Sequence, residues 1–322
     1  MSINSPIVVF GGGISGLLYA YHNLLKGVPV SLYEGQSIGN GASSARSGIL
    51  VPPQGKESFV KGLSALEQLI NELRGKGYDI PFKRLPQLRL LENKLRRKLR
   101  ADEELITLGE LKVLEPSLLL AQRKYIGAIR SSLGAYVNTS ALLTVLSLEI
   151  KRLGGEIFFD TLLELKVTDK GHYLTLASGG KLKVPEVALA LGAGILPFSE
   201  DLGMEVILDG GEILGVSYDS TLKHLLHWNR LSFVKRDNES TLWITGIHRL
   251  GEIVPSFCDN ALKELLSATK DLFGDCGETV ERWSGIRVRF PAREVLPYLN
   301  SLGVKILGGF GGNGFLGAAQ IL

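Results

Sequence analysis

Residues 7–34, IVVFGGGISGLLYAYHNLLKGVPVSLYE, constrain this chain more than any other stretch. A β-rich apolar run at 7–10 predicts a buried parallel strand. Gly11, Gly13 and Gly16 follow as G-x-G-x-x-G. From about 15 to 26, Leu17, Leu18, Tyr21, Leu24 and Leu25 recur at helical spacing. A second strand is expected over 28–33, ending at Glu34. Each part has a physical task. Gly11 permits the tight turn, Gly13 lets a pyrophosphate approach the backbone, and Gly16 lets helix and strand pack closely. Ile14 and Ser15 open the helix, whose first N–H groups and positive dipole end suit phosphate. Glu34, followed by Gly35, would accept hydrogen bonds from a ribose, and its charge disfavours a 2′-phosphate. FAD or NAD is therefore expected rather than NADP.

The same stretch fails as a secretory signal, because its first lysine is Lys26. It fails as a membrane anchor too, since three glycines, His22, Asn23 and Lys26 interrupt a run that needs about 20 apolar residues. With 322 residues, 45% of them hydrophobic, the chain suits one large domain or two interleaved ones. A net charge of +3 does not by itself imply nucleic acid. Cys258 and Cys276 stand 18 apart without a CxxC pair, so neither a disulfide framework nor a metal site is expected. A cytoplasmic protein fits best.

Three further stretches separate FAD from NAD. GNGASSARSGIL, 39–50, offers Ala42, Ser43, Ser44, Arg46, Gly48 and Ile49 to wrap a pyrophosphate and run along a flavin ring. VPEVALALGAGIL, 184–196, reads as a buried strand closing on Gly192 and Ala193. VKILGGFGGNGFLGAAQIL, 304–322, reads as a strand, a glycine turn through Gly309, Gly311, Gly312 and Asn313, and a terminal helix beginning near Gly314 and Phe315. The start of that helix is expected to stabilise negative charge on a reduced flavin.

These stretches, with LEPSL at 114–118, GAYVNTSALLTVL at 134–146 and WSGIRVRFP at 283–291, occur in the order found in the FAD-dependent D-amino-acid oxidase superfamily. The chain resembles that superfamily, which includes glycine oxidase, sarcosine oxidase and the D-amino-acid dehydrogenases. The resemblance covers nearly the whole chain and is loosest over about 200–275. It implies an α/β fold: a Rossmann-like FAD-binding domain with an interleaved α+β substrate domain containing a mostly antiparallel sheet. The FAD-binding domain would be assembled from 1–80, 134–208 and 277–322, and the substrate domain from 81–133 and 209–276. Val167 falls where family members touch the adenine.

The implied reaction is oxidation of a small amine or D-amino acid, glycine-like, by hydride transfer to flavin N5, giving an imine that hydrolyses. O2 or a quinone would be the electron acceptor. Arg287 stands where the family binds the substrate carboxylate, though Val288 replaces the usual Pro, and strand alternation puts Arg289 on the same side. Where glycine-oxidase-like members carry a Tyr, RLSFVKR offers Ser232 and Phe233. Tyr218 and Arg230 lie nearby, and His227 and His248 read as surface or packing residues. No Cys stands near the arginine motif, so FAD is expected to be non-covalent, and no metal is expected. Two alternatives stay open: an FAD-dependent oxidase acting in tRNA modification, and a flavin-binding protein without amine turnover.

KRLPQLRLLENKLRRKLR, 83–100, carries eight basic residues and one acidic one. Leu88, Leu91, Leu95 and Leu99 fall at helical spacing, which predicts a basic amphipathic helix. Such a helix is commonly a solvated surface face, and it is also the route by which the protein would touch the inner face of a membrane.

Overall fold

The computed structural model describes residues 6–53, 56–120, 125–168, 170–237, 239–274, 277–291, 299–301 and 303–322. The first strand, Ile7–Phe10, is buried along its whole length and lies inside a six-stranded sheet. Across that sheet the strands run Leu299–Ser301, Val304–Ile306, Val187–Leu189, Ile7–Phe10, Val30–Glu34 and Glu156–Phe159. All neighbours are parallel except the first pair. From Ile7–Phe10 the chain builds outward to Val30–Glu34 on one side and returns later to Val187–Leu189 on the other. Connections leaving the ends of these two central strands therefore diverge, which opens a crevice at the switch point.

The elements around the crevice form for local reasons. Helix Ile14–Leu25 buries Leu17, Leu18 and Tyr21 on the sheet and ends at Lys26, with Gly27 at φ +74° reversing the chain. Helix Thr139–Arg152 is capped by the Asn138 side chain, which accepts from Ala141 N–H at 3.0 Å. Helix Glu57–Gly75 buries Phe59, Leu63, Leu66, Ile70 and Leu73. At Gly62 a side chain would run into the Leu316 backbone, so a glycine is what lets the C-terminal segment lie against this helix.

The second layer is an eight-stranded sheet in the order Thr279–Arg289, Ile207–Ser217, Thr241–Leu250, Leu231–Lys235, Leu225–Trp228, Gln87–Leu91, Gly127–Ser131 and Glu103–Thr107. Only Leu225–Trp228 and Gln87–Leu91 pair in parallel. One face packs Leu214, Val216, Phe233 and Ile244 with Leu265 and Leu272 of helix Asp259–Phe273. A register shift between Glu212 and Ile213 breaks the pairing with Thr241–Leu250. Beside it Gly246 has φ +126°, with the Arg230–Leu231 backbone so close that a Cβ would stand 2.8 Å from Leu231 Cα. A bulge at this point bends the strand and re-aims its side chains. The sheet takes its edge strand, Thr279–Arg289, from segment 277–322.

The basic segment departs from its expected form. Phe82–Arg84 and Gln87–Leu91 are strands, and Glu92–Arg100 is not helical. Leu88 is wholly buried inside the large sheet, and the leucine spacing does not form a helical stripe. Several charges are also engaged: Lys83 with Asp237, Arg84 with Glu67, and Arg97 and Arg100 with Glu103. The expected amphipathic helix is thus overturned. Among the described residues, no helix is long and apolar enough to cross a membrane.

Candidate active site

A cavity of about 620 Å³ lies between the two sheets. On one side it is lined by Ile14, Ala42, Ser43, Gly48 and Ile49, and by Gly309, Gly311, Gly312, Asn313, Gly314 and Phe315. On the other it is lined by Glu212, His227, Arg230, Ser232, Thr245, His248, Trp283, Arg287 and Arg289. Stretches 300 residues apart in sequence thus meet around one space.

The first wall is mostly backbone. Ile14 N–H donates to Ser43 Oγ at 3.0 Å, so the start of the first helix faces the serine loop. A Cβ at Gly13 would stand 3.1 Å from the same Ser43 Oγ, and one at Gly16 would land on the Gly11 carbonyl. Ser44 accepts from Trp283 Nε1 at 3.0 Å, which ties the loop to the large sheet. Glu34 folds back onto the glycine turn, where Oε2 accepts from Gly12 N–H at 2.6 Å and Oε1 from Gln36 N–H at 2.9 Å. Gly11, Gly13, Ser15, Gly16 and Glu34 therefore lie at the crevice, next to the cavity rather than in its lining.

The other expected contacts divide. Gly192 and Ala193 open the 3-10 turn after strand Val187–Leu189, and a Cβ at Gly192 would meet nothing within 4 Å. Gly35 packs on Thr161. Arg46 pairs with Glu281 at 3.2 Å and reaches Ser140. Val167 lies on strand Leu162–Thr168 of a separate three-stranded sheet and packs against a hydrophobic cluster, outside the cavity lining. At the C-terminus the helix begins at Gly314 as expected, with an α-helical part, Gly314–Ala318, continued by a 3-10 turn, Ala319–Ile321, and preceded by another at Gly311–Asn313. Five residues make too short a helix to act as a strong dipole, so the wall there is a backbone turn.

The second wall carries the charge. Asp209 on strand Ile207–Ser217 stands directly opposite Arg287 on strand Thr279–Arg289. Its side chain is fully buried, with Oδ2 at 2.5 Å from Arg289 Nη2 and 2.9 Å from His248 Nδ1, and Oδ1 at 3.6 Å from Arg287 Nη2. Burial pushes the Asp209 carboxyl up, but the His248 hydrogen bond and the arginine charges outweigh burial and hold it below its ordinary value. Burial and then Arg287 push His248 down, so its ring is neutral near pH 7. Glu212, buried beside this group and paired with Arg249, is pushed up by burial.

Sequence reading places Arg287 and Arg289 on one side, and the structure brings both to the cavity. It does not anticipate Asp209 or Glu212. His227 and His248, expected as surface or packing residues, both line the cavity. His227 Nδ1 lies 2.8 Å from Ser232 Oγ across two paired strands, and burial, then Arg89, brings the ring down to about 4. Ser232 faces the cavity where a Tyr was sought, Phe233 is in the opposite core, and Arg230 is held by Glu264. The signal for these residues is alternation along neighbouring strands, which becomes readable only once the strand register is known.

A family model described as FAD dependent oxidoreductase matches residues 6–321, and the chain belongs to that family. Glycine oxidase from Geobacillus kaustophilus is similar in structure, with a TM-score of 0.84 and 21% identity over 98% of this chain and 91% of that one. Iminodiacetate oxidase from Chelativorans sp. BNC1 has a TM-score of 0.82 and 21% identity over 97% and 92%. L-proline dehydrogenase from P. horikoshii has a TM-score of 0.80 and 18% identity over 99% and 91%. No curated protein matches the chain in sequence.

The residues present suit FAD, the cofactor of this family. Gly13 and the Ile14 amide face the serine loop, the acid closes the turn, and Gly192 and Gly314 present backbone to open space.

Proposed function

We propose that the protein oxidises a small amine, a D-amino acid or a glycine-like compound, as an FAD-dependent oxidase or dehydrogenase. One observation carries this reading: the glycine turn Gly309–Phe315 and the arginine pair line the same cavity. A turn of nearly bare backbone suits a flat ring, and arginine beside it suits a carboxylate. The names of the three structural relatives, which speak of oxidases or a dehydrogenase of glycine, iminodiacetate and proline, support the same chemistry.

In this reading Gly11, Gly13, Ile14 and Gly16 hold a pyrophosphate, Glu34 a ribose, and Ser43, Gly48 and Ile49 the far side of the cofactor. The cofactor-binding unit would comprise 1–80, 134–208 and 277–322, and the substrate unit 81–133 and 209–276. FAD is held without a covalent bond and, when bound, accepts the hydride that the substrate's Cα loses. The chain's own contribution is to orient the amino acid by its carboxylate, to exclude water, and to bind the amine in its neutral form. A neutral His248 adds no positive charge near that amine. The imine released by oxidation then hydrolyses, and O2 or a quinone takes the electrons.

The test is steady-state formation of the oxo acid from a panel of D-amino acids, glycine and N-methylated glycines, with O2 and with a soluble quinone. One class of substrate is expected to turn over. Turnover of none, with FAD bound, would reject the reading. Salt-sensitive tRNA binding in the same preparation would favour the RNA-modification alternative.

A further inference from the structure

The two arginines are not equivalent. Arg287 Nε donates to the Asp209 carbonyl at 3.4 Å, and Nη2 donates to the carbonyls of Gly210 at 3.2 Å and Ile247 at 3.0 Å. Gly211 makes room for this, since a Cβ there would stand 2.6 Å from Arg287 Cζ. Among the described residues only Nη1 has no partner, and it stands 3.6 Å from where a Gly312 Cβ would be. A guanidinium binds a carboxylate with two hydrogen bonds through two adjacent nitrogens on one edge. Arg287 has no such edge left.

Arg289 has one. Among the described residues its only carboxylate partner is Asp209, reached through Nη2, and its side chain is 44% exposed. Its stem lies along Gly311, whose Cβ would stand 3.2 Å from Arg289 Cγ. His248 Nδ1 is close to both arginines at 3.2 and 3.3 Å, but its proton goes to Asp209, the only carboxylate it touches among the described residues. Nη2 of Arg289 therefore keeps one hydrogen, beside a second nitrogen that has no partner among the described residues.

The charges around the pair also count. Arg287 and Arg289 bring two positive charges, Asp209 returns one negative, and His248 is neutral. Arg230, the other arginine of the cavity lining, is matched by Glu264 at 2.7 Å. Glu212 and Glu252 both lie on Arg249. Among the described residues, Arg287, Arg289 and Asp209 together carry one positive charge, and two glutamates on one arginine leave one negative charge beside them.

Building on the proposed amine oxidation, we propose that Arg289 rather than Arg287 grips the substrate carboxylate. Arg287 is a positioning residue locked onto the sheet, and Asp209 restricts the pair to one carboxylate, so the substrate is an amino monocarboxylate. Asp209 acts through the arginines and touches no substrate atom.

The test is calorimetric titration of the FAD-loaded protein with glycolate and with malonate, one carboxylate against two. Wild type is expected to prefer glycolate by roughly tenfold. Arg289→Met should lose about 30-fold in glycolate affinity, the scale of a charge-assisted hydrogen-bond pair, and Arg289→Lys should fall between. Asp209→Asn should bring malonate level with glycolate or above it. The proposal is overturned if Arg289→Met stays within about threefold of wild type, if wild type binds malonate as tightly or binds neither acid, or if folded Asp209→Asn leaves the ratio unchanged. Should Asp209→Asn not fold, the exposed Arg289 variants decide alone. An unchanged amine KM in Arg289→Met would sink this proposal and spare the amine oxidation. Intact glycolate binding without turnover of any amine would do the reverse.

Discussion

A Cβ at position 211 would press into the Arg287 guanidinium and lift it from three main-chain carbonyls. Gly211→Ala should therefore cost about 1–3 kcal/mol of stability, by leaving buried carbonyls unpaired, and raise the amine KM roughly tenfold with flavin content unchanged. Thermal melting and steady-state kinetics together check this; an unchanged melt and KM would show that Arg287 is not pinned as described. His227 gives a pH signature. Burial, and then Arg89, hold its ring at about 4 when folded, against the ordinary imidazole value of 6.5 when unfolded. Between those values the unfolded chain binds more protons, so stability rises with pH. The contribution is complete above 6.5 and lost as pH falls toward 4, by roughly 3 kcal/mol at most. In His227→Asn that part of the slope should vanish from urea unfolding curves measured between pH 4 and 7.

At the scale of elements, the first helix depends on Gly16. Alanine there would strike the Gly11 carbonyl and push the helix off the sheet. Purified Gly16→Ala should retain less than about a tenth of the flavin absorbance per chain. Away from the site, Glu149 of helix Thr139–Arg152 gathers Lys76 at 2.6 Å, Tyr78 at 2.8 Å and Arg152 at 2.6 Å. Hydrogen bonds from Arg152, then Lys76 and Tyr78, outweigh burial and hold its carboxyl at about 2. This stabilisation is present above the unfolded value near 4.5 and lost as pH falls toward 2. Glu149→Gln should lower stability at pH 7 by about 2 kcal/mol, discounted because Lys76 and Arg152 are partly solvent-screened. Below pH 2 mutant and wild type should converge in chemical denaturation.

For the whole molecule, the glycine turns at both ends were legible because G-x-G-x-x-G after an apolar run admits few geometries. The two arginines were legible as a same-face pair because alternation on one strand decides it. Asp209, His248 and Ser232 were not, since the first two meet Arg287 and the third reaches the cavity only through the register of strands far apart in sequence. Segment 83–100 misled for a related reason. Its leucines recur at helical spacing, but pairing with Gly127–Ser131 and Leu225–Trp228 draws Gln87–Leu91 into a sheet, and tertiary contacts override local pattern.

The central claim joins a bound FAD to an amine. It is tested most directly by the visible absorption spectrum of the purified protein, recorded without oxygen, before and after adding D-amino acids, glycine and N-methylated glycines. The account predicts an oxidised-flavin spectrum that bleaches with one of these classes. A spectrum that none of them bleaches, or no flavin even after incubation with FAD, would contradict it.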